Sequence, residues 1–439
     1  MKKIITVIYT LSFVIGAVSA QSVYDGVKIA DKDLNGTARF VGMGGAMGAL
    51  GGDITTMGTN PAGIGIYRSN DVMTSFSYSA YGMESKYEGQ KSTIDKNRWS
   101  FDNIGVVFAT KIGNQTPLRY VNFGFNYKRS KSFYKNMSMS GMMGVVENPS
   151  NPGSPYYVSQ TNSMALQATD AERYVWDNSR QHLDFDNANR IFSDPDAGWL
   201  GALGYQGGLT ERDRIDNEPD LYVPFLPVEP SSVFNSREKG GIDQYDFNVS
   251  FNINDRVYLG LTIGAYDVDY DKYSGYDESY KRGEGYSLES YNNISGSGFD
   301  VKMGLILRPF EYSPFRIGFA VHTPTFYKLT YSTSAIVTND YRDANTDELK
   351  RIIVDTYDYV GDMKRDYRLV TPWKYNVSLG YTVGTSLALG AEYEYEDYST
   401  MKFKYSSNDG GGDMEFENAE VKNCLKGEHT FRIGAEYKV

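Results

Sequence analysis

The stretch YDFNVSFNINDRVYLGLTIGA, residues 245–265, decides the fold. Tyr245, Phe247, Val249, Phe251 and Ile253 alternate with Asp246, Asn248, Ser250, Asn252 and Asn254. Asn254-Asp255 supplies a turn. Val257, Leu259, Leu261, Ile263 and Ala265 resume the apolar face, with Gly260, Thr262 and Gly264 between them. Strand side chains point alternately to two faces, so this period of two predicts paired strands, apolar on one side and polar on the other. The apolar face runs for about nine residues, the length a tilted strand needs to cross a bilayer. Beyond it the same face carries Asp267, Asp269 and Asp271, and so leaves the apolar zone.

The pattern recurs outward from this hairpin. It is clear at Val121–Tyr127, Phe299–Leu307, Ile317–Val321, Tyr375–Val383, Leu387–Tyr395 and Phe431–Val439, and shorter around Val72–Tyr78 and Ile104–Phe108. About ten clean strands result, with weaker candidates near 85–93, 284–297, 350–370 and 400–425. The expected class is all-β: a transmembrane antiparallel barrel, closed because lipid leaves no partner for an unpaired strand edge. With the apolar face turned inward, the same alternation would make a secreted sandwich or soluble barrel. Small and polar residues on one face, with aromatics at strand ends, favour the membrane.

The ends and composition agree. Lys2-Lys3, the apolar run Ile4–Val18 and Val18-Ser19-Ala20 before Gln21 read as a secretory signal peptide, residues 1–20. No later run is long and apolar enough for a spanning helix. The formal charge is −11, and losing Lys2 and Lys3 takes it to −13. An acidic exported chain repels nucleic acid. Thirty-seven tyrosines and 22 phenylalanines suit a membrane interface. Cys424 is the single cysteine, so a cysteine-based zinc cluster and an intrachain disulfide are excluded.

Residues 134–239 break the alternation and hold eight of the 14 prolines. They read as a long extracellular loop, with helix expected within Ala165–Phe192, capped at Thr169 or Asp170. Asn339–Lys350 reads as a smaller loop. No motif carries catalysis, and an enzyme is not expected. Asp267, Asp269, Asp271 and Glu278 mimic a calcium loop, but Lys272 stands where that loop requires glycine. His182, His322 and His429 are isolated in sequence, so neither a metal nor a cofactor is expected. Glu392, Glu394 and Glu396 read as solvated inner-wall acids without a partner.

Gly42–Gly63 has eight glycines in 22 residues. A dinucleotide loop would need G-x-G-x-x-G between a buried strand and a helix. Gly42-Met43-Gly44-Gly45-Ala46-Met47-Gly48 misses that spacing, and no βαβ pattern follows. A plug inside a barrel fits better, because glycine permits tight turns and close backbone approach. Asn60-Pro61-Ala62-Gly63 is a strong turn signal. Met43, Met47 and Met57 suit irregular apolar packing or contact with a variable ligand.

ARFVGMGGAMGALGGDITTMGTNPAGIG, Ala38–Gly65, resembles the N-terminal hatch of FadL-type outer-membrane transport proteins. Gly52-Asp53 and Asn60-Pro61-Ala62 match its pattern in order and position. VKMGLILRPFEYSPFRIGFAVHTPTFYKL, residues 301–329, resembles one of the family's hairpins, and TFRIGAEYKV, Thr430–Val439, its last strand. The long 134–239 insertion has no counterpart that aligns. The resemblance implies a 14-stranded barrel over 71–439 with a hatch, residues 21–70, in its lumen. It implies passive uptake of long-chain fatty acids or aromatic hydrocarbons, gated by Gly42, Gly44, Gly45, Gly48, Gly52, Asp53, Asn60, Pro61, Ala62 and Gly63. Phe40, Met43, Met47 and Met57 are the candidate apolar contacts. Lys302, Arg308 and His322 face the lumen by parity. Lys302 and Arg308 are candidates for an acid headgroup or for pairing with Asp300, and His322 for a carboxylate ligand or a structural hydrogen bond. Implied partners are a hydrophobic small molecule, outer-membrane lipid and the barrel assembly machinery of a Gram-negative bacterium. The alternative function, carriage of secreted protein cargo in type IX secretion, also fits a FadL-related barrel.

Overall fold

The computed structural model describes residues 23–146, 156–194, 196–225 and 230–438. The signal peptide read at 1–20 lies outside these. An antiparallel sheet curls around the N-terminal segment. Its strands are β1 Asp71–Tyr87, β2 Gln90–Lys111, β3 Leu118–Ser132, β4 Lys135–Met142, and, after two short hairpins, β9 Ser231–Ile253, β10 Val257–Ser279 and β11 Gly285–Leu307. The hairpins are β5 Val145–Val146 with β6 Tyr156–Tyr157, and β7 Thr210–Asp213 with β8 Leu221–Pro224. The rest of the wall is β12 Arg316–His322, β13 Phe326–Arg342, β14 Leu349–Asp355, β15 Met363–Val370, β16 Lys374–Val383, β17 Leu387–Asp397, β18 Lys402–Tyr405 and β19 Gly427–Tyr437.

Several of these strands continue one another. β12 and β13 both pair with β11, separated by Thr323-Pro324-Thr325, and β15 and β16 are separated by Thr371-Pro372-Trp373. Proline has no N–H for the ladder, so both columns break where it stands. Thr325 and Thr371 bridge the break: the Thr371 hydroxyl accepts from Thr325 N–H at 2.8 Å, and Thr371 N–H donates to the Thr325 carbonyl at 3.1 Å. With β3/β4 and β17/β18 joined likewise, the described residues form ten columns, from β1 to β19. Ten is the number of clean alternations in the sequence, and fewer than the 14 that the resemblance implies.

The alternation sets the faces. Leu259, Leu261, Ile263, Phe247 and Val377 stand outward, while Asp246, Asn248, Thr262 and Ser378 are buried inside. An apolar outside and a polar inside is the pattern of an outer-membrane strand wall. Among the described residues, no helix is long and apolar enough to cross a membrane. Nor does backbone pairing there join β1 to β19. Exposure marks these edges. Leu259 and Leu261 are each 39% exposed, whereas Phe431 and Ile433 of β19 reach 75% and 85%, and Val72 of β1 72%.

The region read as irregular from Tyr134 begins and ends in wall, since β4 and the start of β9 pair with each other. Between them lies a folded cap: α3 Gln160–Ser179, α4 Ala188–Ser193, α5 Trp199–Gln206 and the β7–β8 hairpin. The helix starts earlier than expected, with Ser159 as N-cap and not Thr169 or Asp170. Its cap group is held by a residue far away in sequence. Glu278 accepts from Ser159 Oγ at 2.8 Å, from Gln160 N–H at 3.1 Å, and from the hydroxyls of Tyr276, Tyr280 and Tyr286. Glu278, the last acid of the calcium-loop mimic, is therefore a buried anchor between cap and wall, while Asp267 and Asp269 stand exposed. The weak strand signal at 400–425 resolves into β18 followed by helix α7, Glu415–Cys424. Earlier in the chain, between β14 and β15, α6 spans Thr356–Val360.

Candidate functional site

The N-terminal segment fills the curl. It begins with helix α1, Val23–Ala30, passes through α2, Ala38–Gly42, and ends in two 3₁₀ turns, Ile54–Gly58 and Pro61–Ile66, before β1. Each element is capped by the residue that local chemistry selects. Thr37 caps α2, and its hydroxyl donates to Asp53 at 2.6 Å. Asp53 caps the first 3₁₀ turn by accepting from Thr55 N–H at 2.9 Å. Asn60 caps the second, with Pro61 at its first position, and its amide donates to the Gly48 carbonyl at 2.8 Å. Asp53 and Asn60 are fully buried. They tie the segment to itself.

Glycine-rich backbone leaves many polar groups bare, and a buried backbone group needs a partner. The inner wall supplies them. Arg316 donates to the Leu50 carbonyl at 2.6 Å, Ser250 to Pro61 at 2.8 Å and Asn122 to Ile64 at 2.7 Å. His322 Nε2 meets the Thr59 carbonyl at 2.6 Å, and Glu392 accepts from Gly48 N–H at 3.1 Å.

The wall also makes room. Gly260 stands opposite Gly304, Gly380 opposite Gly390, and Gly390 opposite Gly434. A methyl group on Gly260 would run into Pro61, one on Gly304 into Asn60, one on Gly390 into the Ala46 carbonyl and one on Gly434 into the Met43 carbonyl. Gly105 and Gly124 continue this band beneath Ile54 and Met57. The sequence reading saw these wall glycines as small residues of the polar face and missed their role. Within the hatch, Gly51 and Gly63 touch back to back, and Gly51 has φ +60°. Gly42 and Gly52 are the exceptions among the candidate gating glycines, since nothing lies within 4 Å of where a side chain would be, although Gly52 has φ +66°.

The apolar candidates pack. Phe40, Met43 and Met47 form one buried cluster with Leu50, and Met57 joins Ile54, Ile64 and Val107 in another. The charged candidates separate. Lys302 is fully enclosed, its ammonium 2.9 Å from Asp246 and 2.8 Å from Asp300. Arg308 lies at the strand end, donating to the carbonyls of Ser313 and Glu311. His322 borders a cavity of about 200 Å³ between hatch and wall, which Lys302 and Arg308 do not line.

That cavity is polar. Lys32, Lys128, Lys374, Arg432, Gln244 and the row Glu392, Glu394, Glu396 line it. The three glutamates are buried and paired, contrary to their reading as solvated acids without partners. Arg432 reaches Glu392 and Glu394 at 3.1 Å, and Lys374 lies 3.3 Å from Glu394 and 2.9 Å from Glu396. Strand parity places all of these on the inner face, a signal present in the sequence; which acid meets which base depends on register between strands distant in the chain.

Above the cavity the lumen is aromatic. Tyr266, Tyr270, Tyr327, Tyr331, Tyr367 and Phe403 form a buried cluster with Val23, Ile29 and Ala30 of α1. A side chain on Gly26 would meet the Phe403 ring at 2.5 Å, so the helix lies flat against it. Lys28 pins the helix by donating to Glu238 at 2.8 Å and to the Tyr270 hydroxyl at 2.7 Å.

No protein-family model and no curated protein matches the chain. Solved structures with a similar course include the toluene transporter TbuX of Ralstonia pickettii, 12% identical, covering 92% of this chain and 83% of that one, with a TM-score of 0.37. The toluene transporter TodX of Pseudomonas putida is 10% identical, covering 92% and 81%, with a TM-score of 0.38. A FadL homologue of Pseudomonas aeruginosa is 10% identical, covering 93% and 99%, with a TM-score of 0.27.

Proposed function

We propose that the protein passes small hydrophobic molecules, of fatty-acid or aromatic type, passively inward across the outer membrane, with the N-terminal segment as its gate. The observation that carries this reading is the aromatic chamber and its occupant. Tyr266, Tyr270, Tyr327, Tyr367 and Phe403 surround a helix of eight residues. A helix that short is marginal by itself and persists through its packing. An apolar molecule that competes for the rings displaces α1 without unfolding the wall. In the polar cavity below, Glu392, Glu394 and Glu396 occupy Lys374 and Arg432, so the carboxylate of an acid ligand would rely on Lys32 and Lys128. Passage then requires the hatch to leave its hydrogen bonds to Arg316, Ser250 and Asn122, a local opening that costs less than unfolding the sheet.

The cargo-carrier alternative draws on a different feature, the folded cap, whose helix α3 exposes Leu166 and Tyr174. Mass spectrometry of detergent-purified protein separates the two. An apolar molecule at about one per chain, enriched over bulk lipid, supports uptake. An exported protein bound to a ligand-free lumen supports carriage and overturns the uptake reading.

A further inference from the structure

Three residues that sequence spacing keeps apart meet inside the cap. Glu172 comes from α3, His182 from the chain that follows it, and Asp220 from the entry to β8. His182 Nδ1 is 2.5 Å from Glu172 Oε1 and 3.8 Å from Asp220 Oδ2, and one ligand atom from each lies within 4.8 Å of the others. Glu172 is fully buried and Asp220 nearly so, while His182 is 44% exposed. The imidazole packs against Trp176, ring centres 4.7 Å apart and planes tilted by 38°, which limits its rotation.

The local charge is undercompensated. Arg212 is the cation nearest Asp220, at 3.8 Å, but it is drawn to Asp186 at 2.5 Å. Glu172 is held by Leu183 N–H at 2.9 Å and by the half-exposed imidazole, whereas the imidazole and guanidinium beside Asp220 both stand at 3.8 Å. Buried charges without full compensation are costly. A further polar atom is unmatched here. The Tyr222 hydroxyl is buried beside Glu172, Asp220 and Arg212, facing the Arg212 guanidinium without a well-formed hydrogen bond.

We infer that Glu172, His182 and Asp220 form a binding site for a divalent first-row transition ion, best matched by zinc, which clamps α3 to the β7–β8 hairpin. One imidazole nitrogen and two carboxylate oxygens are zinc ligands, whereas a nitrogen donor disfavours calcium and magnesium. Bonds of about 2.1 Å set neighbouring ligand atoms roughly 3.4 Å apart. The observed separations bracket that value, so small side-chain shifts complete the set. The exposed edge of His182 leaves a path for the ion and a position for water, within reach of Tyr222.

The test uses tag-free, full-length protein in detergent, dialysed against Zn²⁺ and assayed by elemental mass spectrometry. One zinc per chain is expected. His182→Ala, a change at a half-exposed position, abolishes it while keeping the heat-modifiable mobility of a folded barrel. His429→Ala retains it. Co²⁺ gives visible d–d absorption in the wild type and none in His182→Ala, and Zn²⁺ slows proteolysis of the cap in the wild type alone. Equal zinc in wild type and His182→Ala, loss in His429→Ala instead, or no zinc in the wild type overturns the site.

Discussion

Arg39 of the hatch grips Glu436 of the last strand with two arms, Nε at 3.0 Å and Nη2 at 2.8 Å. On the other side of the same gap, Ser75 of β1 donates to the Gly36 carbonyl at 2.8 Å. The segment Gly36–Arg39 thus touches both strands whose backbones do not pair, and it stands where a wall would otherwise close.

Loosening that contact changes permeability more than stability. Arg39 and Glu436 are each more than a third exposed, so the pair contributes less than about 1 kcal/mol. Arg39→Ala and Glu436→Gln are expected to keep the wild-type melting temperature and raise single-channel conductance in planar bilayers. The double exchange Arg39→Glu with Glu436→Arg restores the low conductance. Single variants as tight as the wild type would sink the idea that this pair seals the gap.

The glycine band gives a sharper test of how the hatch is seated. Gly390→Val and Gly434→Val push side chains into the Ala46 and Met43 carbonyls, an overpacking cost of about 1–3 kcal/mol. Limited proteolysis should cut the 36–66 segment faster in both, with the barrel still membrane-inserted. Gly42→Ala serves as the control, because its methyl meets nothing. Equal cutting of all three would mean the hatch does not depend on wall clearance.

Glu278 should hold the cap. Glu278→Ala strands the Ser159, Tyr276, Tyr280 and Tyr286 hydroxyls and Gln160 N–H in a buried site, costing roughly 3 kcal/mol of docking. Protease is expected to release cap fragments from intact cells while β10 and β11 stay protected. A cap as resistant as the wild type's would show that its apolar core with Val337 and Val354 suffices.

One loop should respond to acid. The Lys350 ammonium, then the backbone N–H groups of Asn345 and Thr346, hold the Asp343 carboxyl at about 2. A carboxyl lowered on folding stabilises above its unfolded value, about 4, and that contribution is lost as pH falls through its folded value. Amide protection across 343–348, taken relative to the intrinsic exchange rate at each pH, should therefore fall between pH 4 and 2, and in Asp343→Asn it should already be low at pH 5. The idea is falsified if wild-type protection is constant over that range.

Gating itself is open to the simplest manipulation. Deleting residues 21–65, or replacing Asn60 and Pro61 with Ala, should leave the barrel inserted and change uptake of a radiolabelled fatty acid or aromatic hydrocarbon. Unchanged uptake in both variants would remove the hatch from the mechanism.

The strands were legible because period-two alternation is a local property that each strand carries alone. Tyr245–Ala265 shows it within one hairpin. The glycines of 42–63 were legible as a tightly folded segment for the same reason. Pairings were not. Glu392 and Arg432 both advertise an inner face, but only the register of β17 on β19 sets them opposite. Ser159 was invisible as a cap because its second partner, Glu278, is 119 residues away. His182 looked isolated because Glu172 and Asp220 reach it through a fold that alternation does not describe. Helix α7 sat in a polar stretch where a weak strand signal competed with Asn418, whose side chain bonds Phe403 at both its N–H and its carbonyl.

The glycine band also reshapes how lesions in this molecule map onto phenotype. From Gly105 to Gly434 its members are scattered along nearly the whole barrel sequence, and each looks like an unremarkable small residue of a different strand. In space they are one bearing surface for one stretch of backbone. Substitutions far apart in the gene should therefore share one phenotype with changes in Ala46, Asn60 or Pro61. A shortened side chain at Ile54 or Met57 should suppress an enlarged one at Gly105 or Gly124, while Gly390 and Gly434, which face backbone carbonyls, should find no such suppressor, which makes second-site genetics a direct readout of where the hatch rests.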